Sequence, residues 1–548
     1  MTTPSDERFQ LKKVYSRRLT PLRSNSDTAP RTHARADTST SNAGTAAKAL
    51  LATDRGLDRW LSRHSGSTNR LGFFWLVVIA LDQMRPTPSA LGARVARTAK
   101  WVYSRVHFAI PRRGVSMTNR CSQSLTRLVH LFASLVLLLL TLPLNAYERN
   151  EEDDNHGDND SHHAKVVGGY FEEWSIYFAG YNIANLQSNG VADKLTHVNY
   201  AFGNATGNGC AIADAWADYQ SPYLPSVSGA PYTGPLFGNF AALQQLKQLH
   251  PNLKVLISLA GAAGFSAAAS TAPSRQAMVA NCIDLFINGN IAQGISAAGI
   301  FDGFDIDWEF PTAADAQNTT LLMQEFRKQL DAVGETNNKH YLLTMFGPAG
   351  QQNFSNIQLA EVAEQLDYYN VQGYDFHGTW ETSTNHASPL FDDAQDPVRD
   401  QNFYIDYTIS AYLRAGVPAH KLVVGIPIYA RGWTGVPSTN NGLYQTSTGP
   451  APFPPADYLQ TPGVITYRTL IGLTGFSRNF DYKRIAVWLY DANSQTFWSY
   501  DDPVTVWLKT AYVRLREPGG LGGAFVWALK DDDAKGTIVK TMAAGLRQ

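Results

Sequence analysis

The 548-residue sequence predicts an α/β protein built on a (β/α)8 TIM barrel that spans residues 165–548. Eight short apolar runs recur along this region, rich in Val, Ile, Phe and Tyr, as buried parallel strands require. Stretches with helical periodicity separate the runs. A doubly wound open sheet is the alternative, but no Gly-rich nucleotide loop follows the first run. The barrel is therefore the predicted fold.

The eight predicted strands cover residues 165–170, 196–202, 254–260, 301–308, 341–346, 367–374, 421–429 and 522–528. Helices between them are expected at 240–250 and 321–333, where apolar residues recur with helical spacing. Residues 433–502 are too many for a simple loop, so we predict a small α+β insertion there, between the seventh strand and its helix. Loops that follow strands build the active-site face of a barrel, so this insertion should deepen the site.

The region before the barrel has a different charge. Residues 1–127 contain 22 Lys and Arg against 7 Asp and Glu, whereas the remainder contains 24 and 40. Residues 1–116 are predicted to be a disordered basic arm or an overextended start. Residues 117–146 hold the apolar run LFASLVLLLLTLPL behind basic residues, which predicts a signal peptide or a membrane anchor. Either way, the chain after residue 146 is expected to be exported.

The exported part begins with residues 147–164, which are predicted to be an acidic linker. It also contains two cysteines, Cys210 and Cys282. In an oxidising compartment these could pair in a disulfide, and two buried thiols are the alternative. Spacing alone does not decide between them.

The stretch FDGFDIDWEFP, at residues 301–311, carries four carboxylates among core-type side chains: Asp302, Asp305, Asp307 and Glu309. On a strand, Asp305, Asp307 and Glu309 would share one face at the C-terminal end, where barrel enzymes keep their chemistry. Like charges this close favour a shared proton, which suits a general acid for a poor leaving group such as a glycosidic oxygen. A Mg²⁺ or Ca²⁺ site, the metal-holding Asp-x-Asp of a nucleotide-sugar transferase and a purely structural network are the alternatives.

Five segments together resemble family 18 of the glycoside hydrolases, the chitinase family, in the subgroup with an α+β insertion. They are THVNYAF, DGFDIDWE, GYDFHGTW, GIPIYARGW and GGAFVWALKDDD, in the order expected of the family's strands. The resemblance implies that Glu309 protonates the glycosidic oxygen while the sugar's own N-acetyl group attacks the anomeric carbon. Asp307 would orient the acetamide, and Asp305 would take up a proton as Asp307 turns. Tyr374 would hydrogen-bond the acetamide carbonyl, and Asp375 would hold the distorted sugar.

The resemblance also implies contacts with the sugar chain. Trp527 would floor the sugar site and Trp380 would stack on the leaving-group side, with a core position and a loop anchor as the respective alternatives. Polar contacts would come from Tyr429 and Arg431, with a purely structural salt bridge as the alternative for Arg431. The remaining expected members are Tyr170 and Phe202 as contacts or packing residues, Asp302 and Ser258 as supporting residues, and Phe310 and Gln372, which stand where many members have Tyr and Met.

The expected function is therefore a secreted chitinase that hydrolyses β-1,4-linked N-acetylglucosamine polymers with retention. An endo-β-N-acetylglucosaminidase acting on N-glycans and a chitin-binding lectin are the alternatives. Chitin or chito-oligosaccharides are the expected partners of a monomer that needs no metal or organic cofactor and binds no nucleic acid. A membrane is involved only if residues 128–146 stay uncleaved, in which case the protein would be anchored rather than secreted.

Overall fold

Eight parallel strands close into a barrel in the computed structural model, which describes residues 164–548. The predicted arm, the 117–146 segment and the linker up to residue 163 lie outside the described residues. The strands of this sheet are β1 Val166–Glu172, β2 His197–Thr206, β3 Gly209–Ile212, β4 Lys254–Ala260, β5 Gly303–Asp307, β6 Leu342–Gly347, β7 Tyr368–Val371, β8 Leu422–Pro427 and β15 Gly523–Trp527. Strand β1 pairs with both β2 and β15, which closes the sheet. The barrel order is β1-β2-β4-β5-β6-β7-β8-β15, with β3 added as an antiparallel hairpin partner of β2.

Every predicted run overlaps one barrel strand, so the predicted fold class is confirmed. The two helices expected from periodicity are present as Gly238–Leu249, named α2, and Ala316–Asn337, named α5. The helices are α1 Ile183–Ser188, α2 Gly238–Leu249, α3 Ala262–Ala269, α4 Ala272–Cys282, α5 Ala316–Asn337, α6 Gln351–Phe354, α7 Leu359–Gln365, α8 Ile405–Arg414, α9 Tyr467–Leu470, α10 Pro503–Leu515 and α11 Thr537–Leu546.

A second, antiparallel sheet lies in the chain between β8 and α10, as the predicted insertion requires. Its first strand begins at Tyr429, because the run predicted as one strand over 421–429 is divided after Pro427. The barrel strand ends at Pro427, and the apolar residues on both sides hide this break in the sequence. The strands of this sheet are β9 Tyr429–Thr434, β10 Gly449–Pro450, β11 Val464–Thr466, β12 Ser477–Asp481, β13 Ala486–Asp491 and β14 Thr496–Tyr500.

The alternation of β5 separates core residues from site residues. Phe304, Ile306 and Trp308 are fully buried toward the helices. The Trp308 ring stacks on Phe265 of α3, with ring centroids 5.3 Å apart, and Phe304 packs on Phe326 of α5 at 5.4 Å. The intervening acids must then project into the barrel.

A disulfide joins Cys210 in β3 to Cys282 at the end of α4. It fastens the β2–β3 hairpin to a helix 72 residues further along the chain. The structure thus selects the paired state over two free thiols. Within residues 164–548, the helices are all too short or too polar to cross a membrane.

Candidate active site

Asp305 occupies the middle of the barrel interior and is completely buried. The strand register places it level with Ser258 on β4 and Thr344 on β6. Its Oδ2 accepts hydrogen bonds from the Tyr170 hydroxyl at 2.8 Å and from Ser258 Oγ at 2.7 Å. Its Oδ1 accepts from Thr344 Oγ1 at 2.7 Å and from Asn370 Nδ2 at 3.0 Å. Four strands besides β5 therefore hold this one carboxyl group.

The Tyr170 hydroxyl is suited to remain a donor in this network. Burial, together with the charges of Asp305 and Asp307, raises the pKa of Tyr170 well above its ordinary value. The expected support of Asp305 by Tyr170 and Ser258 is present as hydrogen bonds. Sequence reasoning missed Thr344 and Asn370, although each is a polar residue at an inward position of an otherwise apolar strand.

Asp307 and Glu309 lie above Asp305, toward the C-terminal mouth of the barrel. Asp307 is the last residue of β5 and is buried, with 6% of its surface exposed. Glu309 lies two residues beyond the end of the strand and is half-buried. The buried, stacked ring of Trp308 fixes the chain between the two acids. The three acids thus form a series from the barrel interior to its rim.

Asp302 is not brought to this group. It precedes β5, at the opposite end of the barrel, and accepts hydrogen bonds from Lys247 Nζ and Lys339 Nζ, each at 2.7 Å. Burial alone would raise the pKa of Asp302, but the two ammonium groups outweigh it, and the pKa lies below its ordinary value. Asp302 therefore supports the base of the barrel and not the acids at its mouth.

The segment after β7 carries Tyr374 and Asp375 to the rim. Tyr374 is buried. Asp375 has a φ of 57°, in the left-handed region that residues other than glycine seldom adopt. Its carboxylate accepts hydrogen bonds from the Tyr429 hydroxyl at 2.7 Å and from Arg431 Nε and Nη2, each at 2.9 Å. Arg431 therefore does form a salt bridge, which ties the first strand of the insertion to the barrel.

Aromatic faces line the mouth on the side of β15. Trp527 ends β15 and is half-buried. Its ring centroid lies 5.1 Å from that of Tyr170 and 6.0 Å from that of Phe202. Phe202 in turn lies 5.9 Å from Trp174, a half-buried residue that sequence reasoning missed. The only sequence feature that could have indicated Trp174 is its place directly after the first strand. The group offers apolar faces beside the acids.

Trp380, in the segment after β7, is 46% exposed and its ring lies 5.2 Å from the Arg431 guanidinium. A Cβ at Gly378 would lie 2.2 Å from the Trp380 ring, so a larger residue there would displace the ring from this position. Phe310 packs near Phe346, with centroids 6.5 Å apart. The Gln372 amide oxygen accepts a hydrogen bond from the Ala349 N–H at 3.0 Å, which orients its amide nitrogen.

The site combines carboxyl groups of increasing exposure with aromatic faces at the C-terminal end of a barrel. This arrangement suits the binding of a sugar ring and proton transfer to its glycosidic oxygen. The class that fold and site define is a glycoside hydrolase. Residues 166–532 match the family described as "Glycosyl hydrolases family 18", and the chain belongs to that family.

Three similar proteins carry related names. Chitinase A1 from Niallia circulans is 33% identical over 430 residues, covering 70% of this chain. This chain spans 58% of the length of the Niallia protein. The catalytic domain of psychrophilic chitinase B from Arthrobacter TAD20 is 36% identical, with a TM-score of 0.65, covering 70% of this chain and 95% of that one. A class V chitinase from Nicotiana tobaccum, solved as a mutant in complex with NAG4, is 25% identical, with a TM-score of 0.56 and coverage of 70% and 99%.

Proposed function

We propose that this protein is a chitinase that hydrolyses β-1,4-linked N-acetylglucosamine polymers with retention of configuration. The observation that carries the proposal is the series Asp305, Asp307 and Glu309, which runs from the buried centre of the barrel to its rim. Membership of family 18, relatives named as chitinases and a similar structure in complex with NAG4 support the same substrate class.

Glu309 is the proton donor because it is the acid at the rim, within reach of a glycosidic oxygen in the cleft. Its proton passes to the glycosidic oxygen as the bond from that oxygen to the anomeric carbon breaks. The carbonyl oxygen of the substrate's N-acetyl group forms a bond to the anomeric carbon from the other face. Water then displaces this oxygen, and the Glu309 carboxylate takes a proton from the water, which restores the acid.

Asp307 and Tyr374 act on the acetamide. A positive charge develops on the acetamide as its oxygen attacks, and a buried carboxylate beside it stabilises that charge more than water would. The Tyr374 hydroxyl would donate to the same carbonyl oxygen and hold it in line. Asp305, fixed by its four hydrogen bonds, keeps a constant geometry beneath Asp307.

The aromatic faces bind the sugar chain. Trp527, with Phe202 and Trp174 beyond it, offers flat apolar faces to the rings on one side of the cleaved bond. Trp380 offers an exposed face on the other side, held by Arg431. Binding that strengthens as the sugar distorts contributes to the rate and not only to affinity.

A second activity is favoured by one residue. Gln372 places a polar amide at the mouth of the cleft, which would suit an endo-β-N-acetylglucosaminidase acting on N-glycans. A direct comparison incubates the full chain with chitohexaose and with a high-mannose glycoprotein and follows the products by mass. We expect short chito-oligosaccharides and an intact glycoprotein. Release of the glycan with intact chitohexaose would replace the first proposal by the second.

The protein is also proposed to act outside the cell, as a monomer. The support is the apolar run within residues 117–146 and the acidic composition that follows it. N-terminal sequencing of the exported protein tests this. A mature N-terminus near Tyr147 is expected for a cleaved signal peptide, whereas a retained 128–146 segment in the membrane fraction would indicate the anchor.

A further inference from the structure

Lys509 is a fully buried charged residue for which the proposed mechanism has no use. It lies in α10, the helix that follows the insertion. Its ammonium donates to Asp501 Oδ2 at 2.6 Å, to the Ser388 carbonyl oxygen at 2.7 Å and to Ser388 Oγ at 2.6 Å. One buried cation thus joins α10, the end of the insertion sheet and the loop that contains Ser388.

The chain of hydrogen bonds continues to the active site. The Ser388 hydroxyl accepts from Lys509 and donates its own proton to the Gly373 carbonyl oxygen at 2.5 Å. Beside it, the Phe376 N–H donates to the Ala387 carbonyl at 3.1 Å. The Ala387 N–H donates to Ser499 Oγ of β14 at 2.9 Å. Residues 387–388 therefore hydrogen-bond to both ends of the segment 373–376.

The segment 373–376 is the turn that carries Tyr374 and Asp375. On its other side, a Cβ at Gly373 would lie 2.1 Å from the Gly425 carbonyl oxygen of β8, so the turn is pressed against the barrel. Asp375 adopts the left-handed conformation, which a residue other than glycine keeps only where its surroundings impose it. The turn is thus held between β8 on one side and Ser388 on the other.

Stability alone is a weak explanation for Lys509. A buried ion pair seldom stabilises a fold more than apolar residues of the same size would. What the ammonium supplies, and an apolar side chain could not, is three donors in fixed directions that join three segments of chain.

We propose that Lys509 is a positioning residue that acts through Ser388 to fix the Tyr374–Asp375 turn in its reactive geometry. The inference rests on the proposed function in that these two residues are taken to contact the substrate. It adds a residue 134 positions away from Asp375 to the set on which turnover depends.

Two variants test it in the full chain, Ser388→Ala and Lys509→Met, with chito-oligosaccharides as substrate. Ser388→Ala removes the hydroxyl that joins the lysine to Gly373. We expect kcat to fall about 10- to 100-fold, with KM changed far less, because a shift of about 1 Å in a reacting group has that effect. A loss of folded protein alone would not produce this split once rates are normalised to the folded fraction.

Lys421→Met is the matched control. Lys421 also donates to two backbone carbonyls, those of Ala363 and Leu366, but it precedes β8 at the other end of the barrel. The Lys421→Met substitution should lower the melting temperature and leave kcat unchanged. If Lys509→Met does not fold, Ser388→Ala decides alone, and native kcat in folded Ser388→Ala overturns the proposal.

A crystal structure of Ser388→Ala separates this inference from the proposed function. We expect the Gly373 carbonyl to turn and Asp375 to leave its left-handed conformation or its bonds to Arg431. An unmoved turn would overturn the positioning role whatever the enzyme hydrolyses. Failure of the native protein to cleave any chito-oligosaccharide would overturn the proposed function instead, and the position of the turn would still decide this inference.

Discussion

Replacement of Arg431 by Met should destabilise the protein by about 3–5 kcal/mol, which is the usual cost of removing one partner of a buried ion pair. The pair qualifies as buried because the side chains of Arg431 and Asp375 are 8% and 5% exposed. The substitution removes two charged hydrogen bonds of 2.9 Å and leaves that of Tyr429. It also releases Trp380, whose ring lies 5.2 Å from the guanidinium. Turnover should fall together with stability, because Asp375 belongs to the Tyr374–Asp375 turn, which faces the cleft.

Urea unfolding of the native and variant proteins at pH 7 measures this change. The double variant Arg431→Met/Asp375→Asn should recover part of the loss, since it removes the buried negative charge as well. Arg399→Met is the control: Arg399 makes a similar bidentate pair with Asp392, but those side chains are 54% and 34% exposed, so little change is expected. Equal effects of Arg431→Met and Arg399→Met would refute the role given to burial.

Three further predictions concern the scaffold. Replacing Cys210 and Cys282 together by Ala should lower the free energy of unfolding by about 4 kcal/mol, as expected for a cross-link between residues 72 apart, and reduction of the native protein should give the same shift in the urea midpoint. Thr344→Val removes one of four hydrogen bonds to the buried carboxyl of Asp305 and should cost about 1.5–3 kcal/mol together with a lower kcat; an unchanged midpoint and rate would show that the network does not need it. Burial raises the pKa of Asp532 to about 6, so its contribution to stability is present below about pH 4 and lost as the pH rises through 6. In Asp532→Asn the decline in the free energy of unfolding between pH 4 and pH 7 should therefore shrink, by at most about 3 kcal/mol, and an unaltered decline would exclude Asp532 as its source.

The barrel could be predicted because its strands are buried on both faces. Runs such as 254–260 are apolar at nearly every position, and such runs, separated by helical periodicity, admit few folds. The same property hid the start of the insertion. Apolar residues continue across Pro427 into β9, so neither hydrophobicity nor alternation marks where the barrel strand ends.

The site was predictable where its residues are adjacent in sequence. Alternation along β5 correctly separates Asp305 and Asp307 from Phe304, Ile306 and Trp308. The predicted strand ran to residue 308 and its alternation was carried on to Glu309, whereas β5 ends at Asp307. Partners contributed by other segments need the register between strands or the path of loops. Thr344 and Ser388 therefore became visible only in the folded structure.

Glu309 is proposed to be the acid of a retaining, substrate-assisted hydrolysis. The most direct test compares the full chain with its Glu309→Gln variant on chitotetraose, with the anomeric form of the first product followed by NMR. The native protein should release product in the β configuration, and Glu309→Gln should still bind chitotetraose but turn it over at least about 10²-fold more slowly. Product in the α configuration, or undiminished hydrolysis by Glu309→Gln, would contradict this account.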